Sequence, residues 1–233
     1  MEDLSAPSLA ETGGSFGSLA DLAHKRIATF AYLRKLHDGN SYYLSTVLLP
    51  SDALAVLYDN TKTKKRAIKW FNLGLSLGSL LLVPNHIEFL KAANSVMMDY
   101  EADMESSKPG LTRLFSAKKS TSDLQSAALG GSKESLALPA SLLESAQLPF
   151  EIDYVQALSA LCDIFMACYN KLMELEELEQ STVFLEGLLK FDTRAKKIIG
   201  LVLLDVDQLA KNLLREELEI INPTNTLFGE DVR

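Results

Sequence analysis

Several residue types that usually announce chemistry are scarce in this chain. Among 233 residues there are 2 cysteines, 3 histidines and 1 tryptophan. Cys162 and Cys168 are six apart, which on one helix sets them about 120° from each other, so neither a disulfide nor a shared metal is expected. Two buried thiols in a reducing, cytoplasmic setting are the expectation. His24, His37 and His86 are far apart in sequence and no H-E-x-x-H or C-x-x-C spacing occurs. No metal site and no cofactor are therefore expected. Gly-rich phosphate loops and the G-x-S-x-G elbow are also absent; Gly13-Gly14 and Gly130-Gly131 lie in low-complexity surroundings.

Glycine (12) and proline (7) are sparse and sit mostly between periodic segments, which disfavours a many-turned β fold. Positive charge is in deficit: 23 Lys and Arg against 31 Asp and Glu leave a net charge of −8. An acidic chain has little general attraction for nucleic acid, because phosphate binding needs a basic face. The N-terminal stretch has neither a basic start nor an apolar core, so no secretory signal is expected.

A long hydrophobic run is missing as well. Fourteen residues without charge, Trp70 to Val83, lie between Lys69 and Pro84. A membrane-spanning helix needs about 20 apolar residues. The expectation is a helix buried on all sides, its first turns wetted by Lys62, Lys64, Lys65, Arg66 and Lys69. Gly74-x-x-x-Gly78 within it permits another helix to pass closely. The basic run also matches a short nuclear-localisation pattern and a patch for anionic lipid.

What is present is helical periodicity. Leu19, Leu22, Ala23, Ile27, Phe30 and Ala31 share one face of a first helix opening at Ser18. Residues 41–49 are aromatic and β-branched but have no evident partner strand, and read as an extended packed connector. A short helix over 52–59 follows, then a helix over about 61–82. Asn85 with Glu88 three residues on opens the next helix. Across Pro84 these two form an antiparallel hairpin. Val155, Leu158, Cys162, Phe165, Tyr169 and Leu172 step by three and four along a helix of about 150–179. Ala195, Ile199, Val202, Val206, Leu209 and Leu213 do the same on a helix from the Ser181 cap to about Ile221. These two form a second antiparallel hairpin.

The expected fold is all-α: one bundle of about five to six helices over 18–221, built from two antiparallel hairpins and an N-terminal helix. Residues 1–17 and 222–233 read as tails. Residues 105–148 hold ten serines in forty-four positions and read as a long disordered loop. Within that loop Ser116, Ser120 and Ser122 follow basic residues and are candidate phosphorylation sites.

Two charge features remain. Glu174, Glu176, Glu177 and Glu179 form an acidic cluster suited to docking a basic partner. Asp192 falls beside the core seam of the last helix. A buried carboxylate is costly without a partner, so Arg26, Lys25 or Lys91 is expected to reach it from another helix, with Arg194, Lys196 and Lys197 pointing away. The functional expectation is a non-enzymatic adaptor or scaffold that binds other proteins. The alternatives are a peripheral membrane factor using 62–69, and an enzyme with a polar pocket near Asp192 or Tyr169.

Overall fold

The computed structural model describes residues 19–106, 143, 149–174 and 181–221. Six helices and one small hairpin of strands make up the described fold. They are α1 (Leu19–His37), β1 (Ser41–Tyr43), β2 (Val47–Leu49), α2 (Ser51–Leu57), α3 (Asn60–Leu80), α4 (His86–Ser106), α5 (Tyr154–Met173) and α6 (Thr182–Ile221). The all-α bundle expected from the periodicity is the fold observed.

Local signals place the helix ends. Asp59 caps α3 by accepting from the Thr61 amide at 2.7 Å. Asn85 accepts from the Ile87 and Glu88 amides at 2.9 and 3.1 Å and opens α4. Asp153 accepts from the Gln156 amide at 2.9 Å, so α5 begins at Tyr154 rather than 150. These side chains answer orphan amides that the first helical turn cannot pair. Helix α4 continues through Ser106, two residues into the segment read as loop.

Two antiparallel hairpins interlock. In the first, α3 and α4 meet where Trp70 Nε1 donates to Tyr100 Oη at 2.8 Å. In the second, α5 and α6 meet mainly through large side chains: Phe165 and Phe191 rings lie 6.0 Å apart, Tyr169 and Phe191 rings 5.7 Å. Helix α5 also packs between α1 and α3, and α6 packs along α4. Pairs such as Gly74–Leu161 and Gly78–Ile164 show α3 and α5 running parallel. Phe30 stacks on Phe165 at 4.7 Å and fixes α1 antiparallel to α5. Helices α4 and α5 are therefore antiparallel, and the end of α4 at Asp103 and the start of α5 at Tyr154 both lie beside the early turns of α3, at Lys69 and Arg66.

Three expectations are corrected here. The connector 41–49 is a β-hairpin that pairs with itself, Ser41 opposite Leu49 and Tyr43 opposite Val47. Its turn places Leu44 and Ser45 at φ of 49° and 58°, the left-handed region, and closes with the Thr46 amide donating to the Tyr43 carbonyl at 3.1 Å. Such a turn is normally written Asn-Gly, so Leu-Ser gave no sign of it. On α1 the buried line runs through Leu19, Ala23, Arg26, Phe30 and Leu33, while Ala31 is exposed. The seam includes a charged residue because Asp192 lies opposite. Finally, α3 is not buried all round: Ala67, Trp70, Leu73 and Leu77 face the core, but Leu75 is 39% exposed and Leu82, just past its end, 87%.

Candidate interaction surface

The basic entry to α3 divides into inward and outward parts. Arg66 is half-buried, hydrogen-bonds Asp205 of α6 and the Tyr154 hydroxyl, and lies over the Trp70 and Tyr154 rings at 5.9 and 6.0 Å. Lys69 donates to the Asp103 carbonyl at 2.7 Å and pairs with its carboxylate at 2.9 Å. These two cations fasten α3 to its neighbours. Lys64 pairs with Glu151 at 3.2 Å, both well exposed, a contact worth little in water. Lys62 and Lys65 are exposed and form no ion pair among the described residues. Of the five basic residues singled out by sequence, then, three face solvent.

Beside them lies an apolar line that the sequence reasoning overlooked. Ile68, Phe71, Leu75, Gly78 and Leu82 step by 3, 4, 3 and 4. That spacing draws a second stripe on α3, apart from the one facing the core. Between it and α5 opens a cleft of about 280 Å³. Gly74, Gly78 and Ala157 line it together with Phe71, Leu75 and Ile164. The glycines explain why α3 and α5 approach so closely: a Cβ at Gly78 would stand 3.4 Å from Ile164 Cδ1. The cleft carries no charged lining residue.

The acidic carboxylate behaves as a structural group. Asp192 is 1% exposed. Its Oδ1 accepts from Arg26 Nε at 2.5 Å and from the Tyr169 hydroxyl at 3.0 Å, and its Oδ2 from Arg26 Nη2 at 3.2 Å. The expected partner from another helix is Arg26. Lys196 also reaches Oδ2 at 3.0 Å, against the expectation that it points away; one helical turn brings it back over Asp192. Burial alone would push this carboxyl up, but the hydrogen bonds from Arg26 and Lys196 outweigh it and hold it below the usual carboxylate range. Both oxygens are engaged and the surroundings are packed, with Tyr169 wholly buried.

A polar cleft of about 460 Å³ lies at the junction of α2, α3 and α5, with His37 and Tyr58 on its lining. His37 Nδ1 donates to the Leu33 carbonyl at 2.7 Å, leaving Nε2 to accept from the Tyr58 hydroxyl at 3.0 Å. Burial lowers the affinity of this imidazole for a proton. Cys162 and Cys168 are free and buried, and burial pushes both thiols up to about 12. Among the described residues no group of three His, Cys, Asp or Glu could hold a metal ion.

Of the acidic cluster, Glu174 is exposed, with a carboxylate oxygen 3.5 Å from His86 Nε2. Glu176, Glu177 and Glu179 lie outside the described residues, as do Ser116, Ser120, Ser122 and the tails 1–17 and 222–233. No described helix is long and apolar enough to cross a membrane. No protein-family model matches the chain, and no similar curated protein or solved structure was found.

Proposed function

We propose that the chain is a non-enzymatic protein-interaction module, an adaptor or scaffold subunit, and that the cleft between α3 and α5 receives the apolar face of a partner's helix. The observation carrying this is the second apolar stripe on α3. Its Phe71, Leu75 and Gly78 line a concave surface together with the small residues Gly74, Ala157 and Ala160, which suits the ridge of a helix better than the flat face of a bilayer. The sealed packing around Asp192 and Tyr169 supports a non-catalytic role for that pair. Serine phosphorylation at Ser116, Ser120 or Ser122 is proposed to regulate binding by adding negative charge. The test is quantitative affinity purification of wild type against Leu75→Asp. Partners lost from the variant support the reading, and an unchanged set overturns it.

The second reading is a peripheral membrane factor. Exposed Lys62, Lys64 and Lys65 at the start of α3 favour it, while the inward engagement of Arg66 and Lys69 withdraws two of the five cations. Co-sedimentation with anionic vesicles, compared with Lys62, Lys64 and Lys65 replaced together by Gln, decides this reading. Arg66 is left in place because its loss would disturb the bundle.

A further inference from the structure

A separate furrow runs where α4 lies beside α6. Two adjoining clefts make it, of about 410 and 300 Å³, and both are lined by Glu186 and Lys190. The two helices are parallel: Gly187 meets Leu90 and Asn94, and farther along Arg194 and Lys197 meet Glu101. On α4 the furrow reaches from Ile87 to Glu101, roughly 21 Å.

Its charge is opposite in sign to that of the chain, which carries −8. Among the described residues the furrow is lined by Lys91, Lys190, Arg194 and Lys197 against two carboxylates, Glu101 and Glu186. Glu101 alone answers both Arg194 and Lys197, at 3.3 and 2.7 Å. Lys190 stands 3.8 Å from Glu186 with both side chains well exposed, a weak pair in water. Lys91 is exposed and forms no ion pair among the described residues. Cations are therefore in excess along the furrow. Apolar surface accompanies them, with Val183 60% and Leu189 38% exposed in the lining.

We propose that this furrow docks an acidic segment of a partner protein, its carboxylates set against Lys91, Lys190 and Lys197 and its apolar side chains against Val183 and Leu189. Charge complementarity selects that occupant. The closely spaced phosphates of a nucleic acid or a bilayer would meet Glu101 and Glu186 along with the lysines, whereas a peptide can space its acids to avoid them. The surface is independent of the α3–α5 cleft, which has no charged lining residue and suits an apolar ridge. Because the lysines are exposed, their attraction acts mainly on the rate of association.

Selection of a randomised peptide display library on the full chain tests this, with peptides of about 14 residues, the length of a helix spanning the furrow. Sequences rich in Asp and Glu with interspersed apolar residues are expected. Their association rate with wild type should drop steeply as salt is raised. In Lys91→Glu with Lys190→Glu it should fall roughly tenfold or more at low salt, and by less in the corresponding double Gln variant. Both lysines are exposed, so far-UV circular dichroism should stay unchanged. Leu75→Asp should leave these peptides bound. A library that yields no acidic sequences, or acidic peptides that bind the double Glu variant as fast as wild type, overturns the proposal. Peptides released by Leu75→Asp alone also overturn it, since they occupy the α3–α5 cleft instead.

Discussion

Removing Asp192 should damage the protein more than removing Asp192 together with Arg26. In Asp192→Ala the Arg26 guanidinium stays where α1 holds it, with a side chain only 11% exposed and its two carboxylate hydrogen bonds gone. The Tyr169 hydroxyl loses its acceptor in the same step. Breaking a buried pair from one side costs about 3–5 kcal/mol, because a desolvated charge is left behind. For a chain of this size that lowers the melting temperature by roughly 6–20 °C. Replacing both partners by apolar groups of similar volume, Arg26→Met with Asp192→Leu, removes the orphan charge and should recover most of the loss. Urea unfolding followed by circular dichroism measures all three variants. Acid supplies a second handle. The folded carboxyl is held below its ordinary value, so its contribution is full above pH 3.8 and fades as pH falls through the folded value. The double variant should lack that acid limb. An Asp192→Ala protein as stable as wild type, or a double variant no better than the single one, would refute the account of this cluster.

Three other perturbations follow from the same geometry. His37 is buried neutral, so below pH 6.5 the unfolded chain takes up a proton that the folded chain resists. Stability should fall as pH drops from 6.5 toward the folded value, by at most about 1.4 kcal/mol per pH unit. Urea midpoints across that window should flatten in His37→Gln. Replacing Leu44-Ser45 by Asn-Gly suits the two left-handed positions and should stabilise the chain by about 1–2 kcal/mol; a lowered melting temperature would sink the strain argument. A Cβ at Gly187 would stand 3.0 Å from Leu90 Cδ2, and the Gly187 carbonyl accepts from Asn94 at 2.8 Å. Gly187→Val should therefore cost about 1–3 kcal/mol by prying α6 from α4, seen as a reduced denaturation midpoint.

The parts legible in the sequence were those where one local rule acts alone. Periodicity marked α5 and α6 because their buried seams are apolar save for Asp192. Asn85 announced the start of α4 because an Asx side chain caps amides whatever surrounds it. Even the buried Asp192 could be inferred with Arg26 among its candidate partners, because a carboxylate on a seam demands a cation. Illegible parts needed a neighbour's identity. The β-hairpin lacked its usual turn residues, and the Tyr32 hydroxyl that accepts from the Leu44 amide at 3.0 Å comes from another element. Arg26 was left off the α1 seam for the mirror-image reason that made Asp192 visible: on α1 the apolar alternatives Ile27 and Ala31 were nearby, and they masked the true line.

The uncharged run 70–83 shows the limit most clearly, and it bears on function. A helix that faces two apolar surroundings carries the same composition as one buried on every side. Only the angular division separates them: Ala67, Trp70, Leu73 and Leu77 on the core line, and Ile68, Phe71, Leu75 and Leu82 on the other. Both lines were present in the spacing, but spacing says nothing of how many neighbours a helix has. No described element covers the outer line. Exposed apolar surface of this kind is a standing cost in water, most readily offset when another helix covers it. The basic entry at Lys62 to Lys69 then has two separable jobs. Arg66 and Lys69 hold the helix in the bundle, and Lys62, Lys64 and Lys65 stay at the solvent-exposed surface.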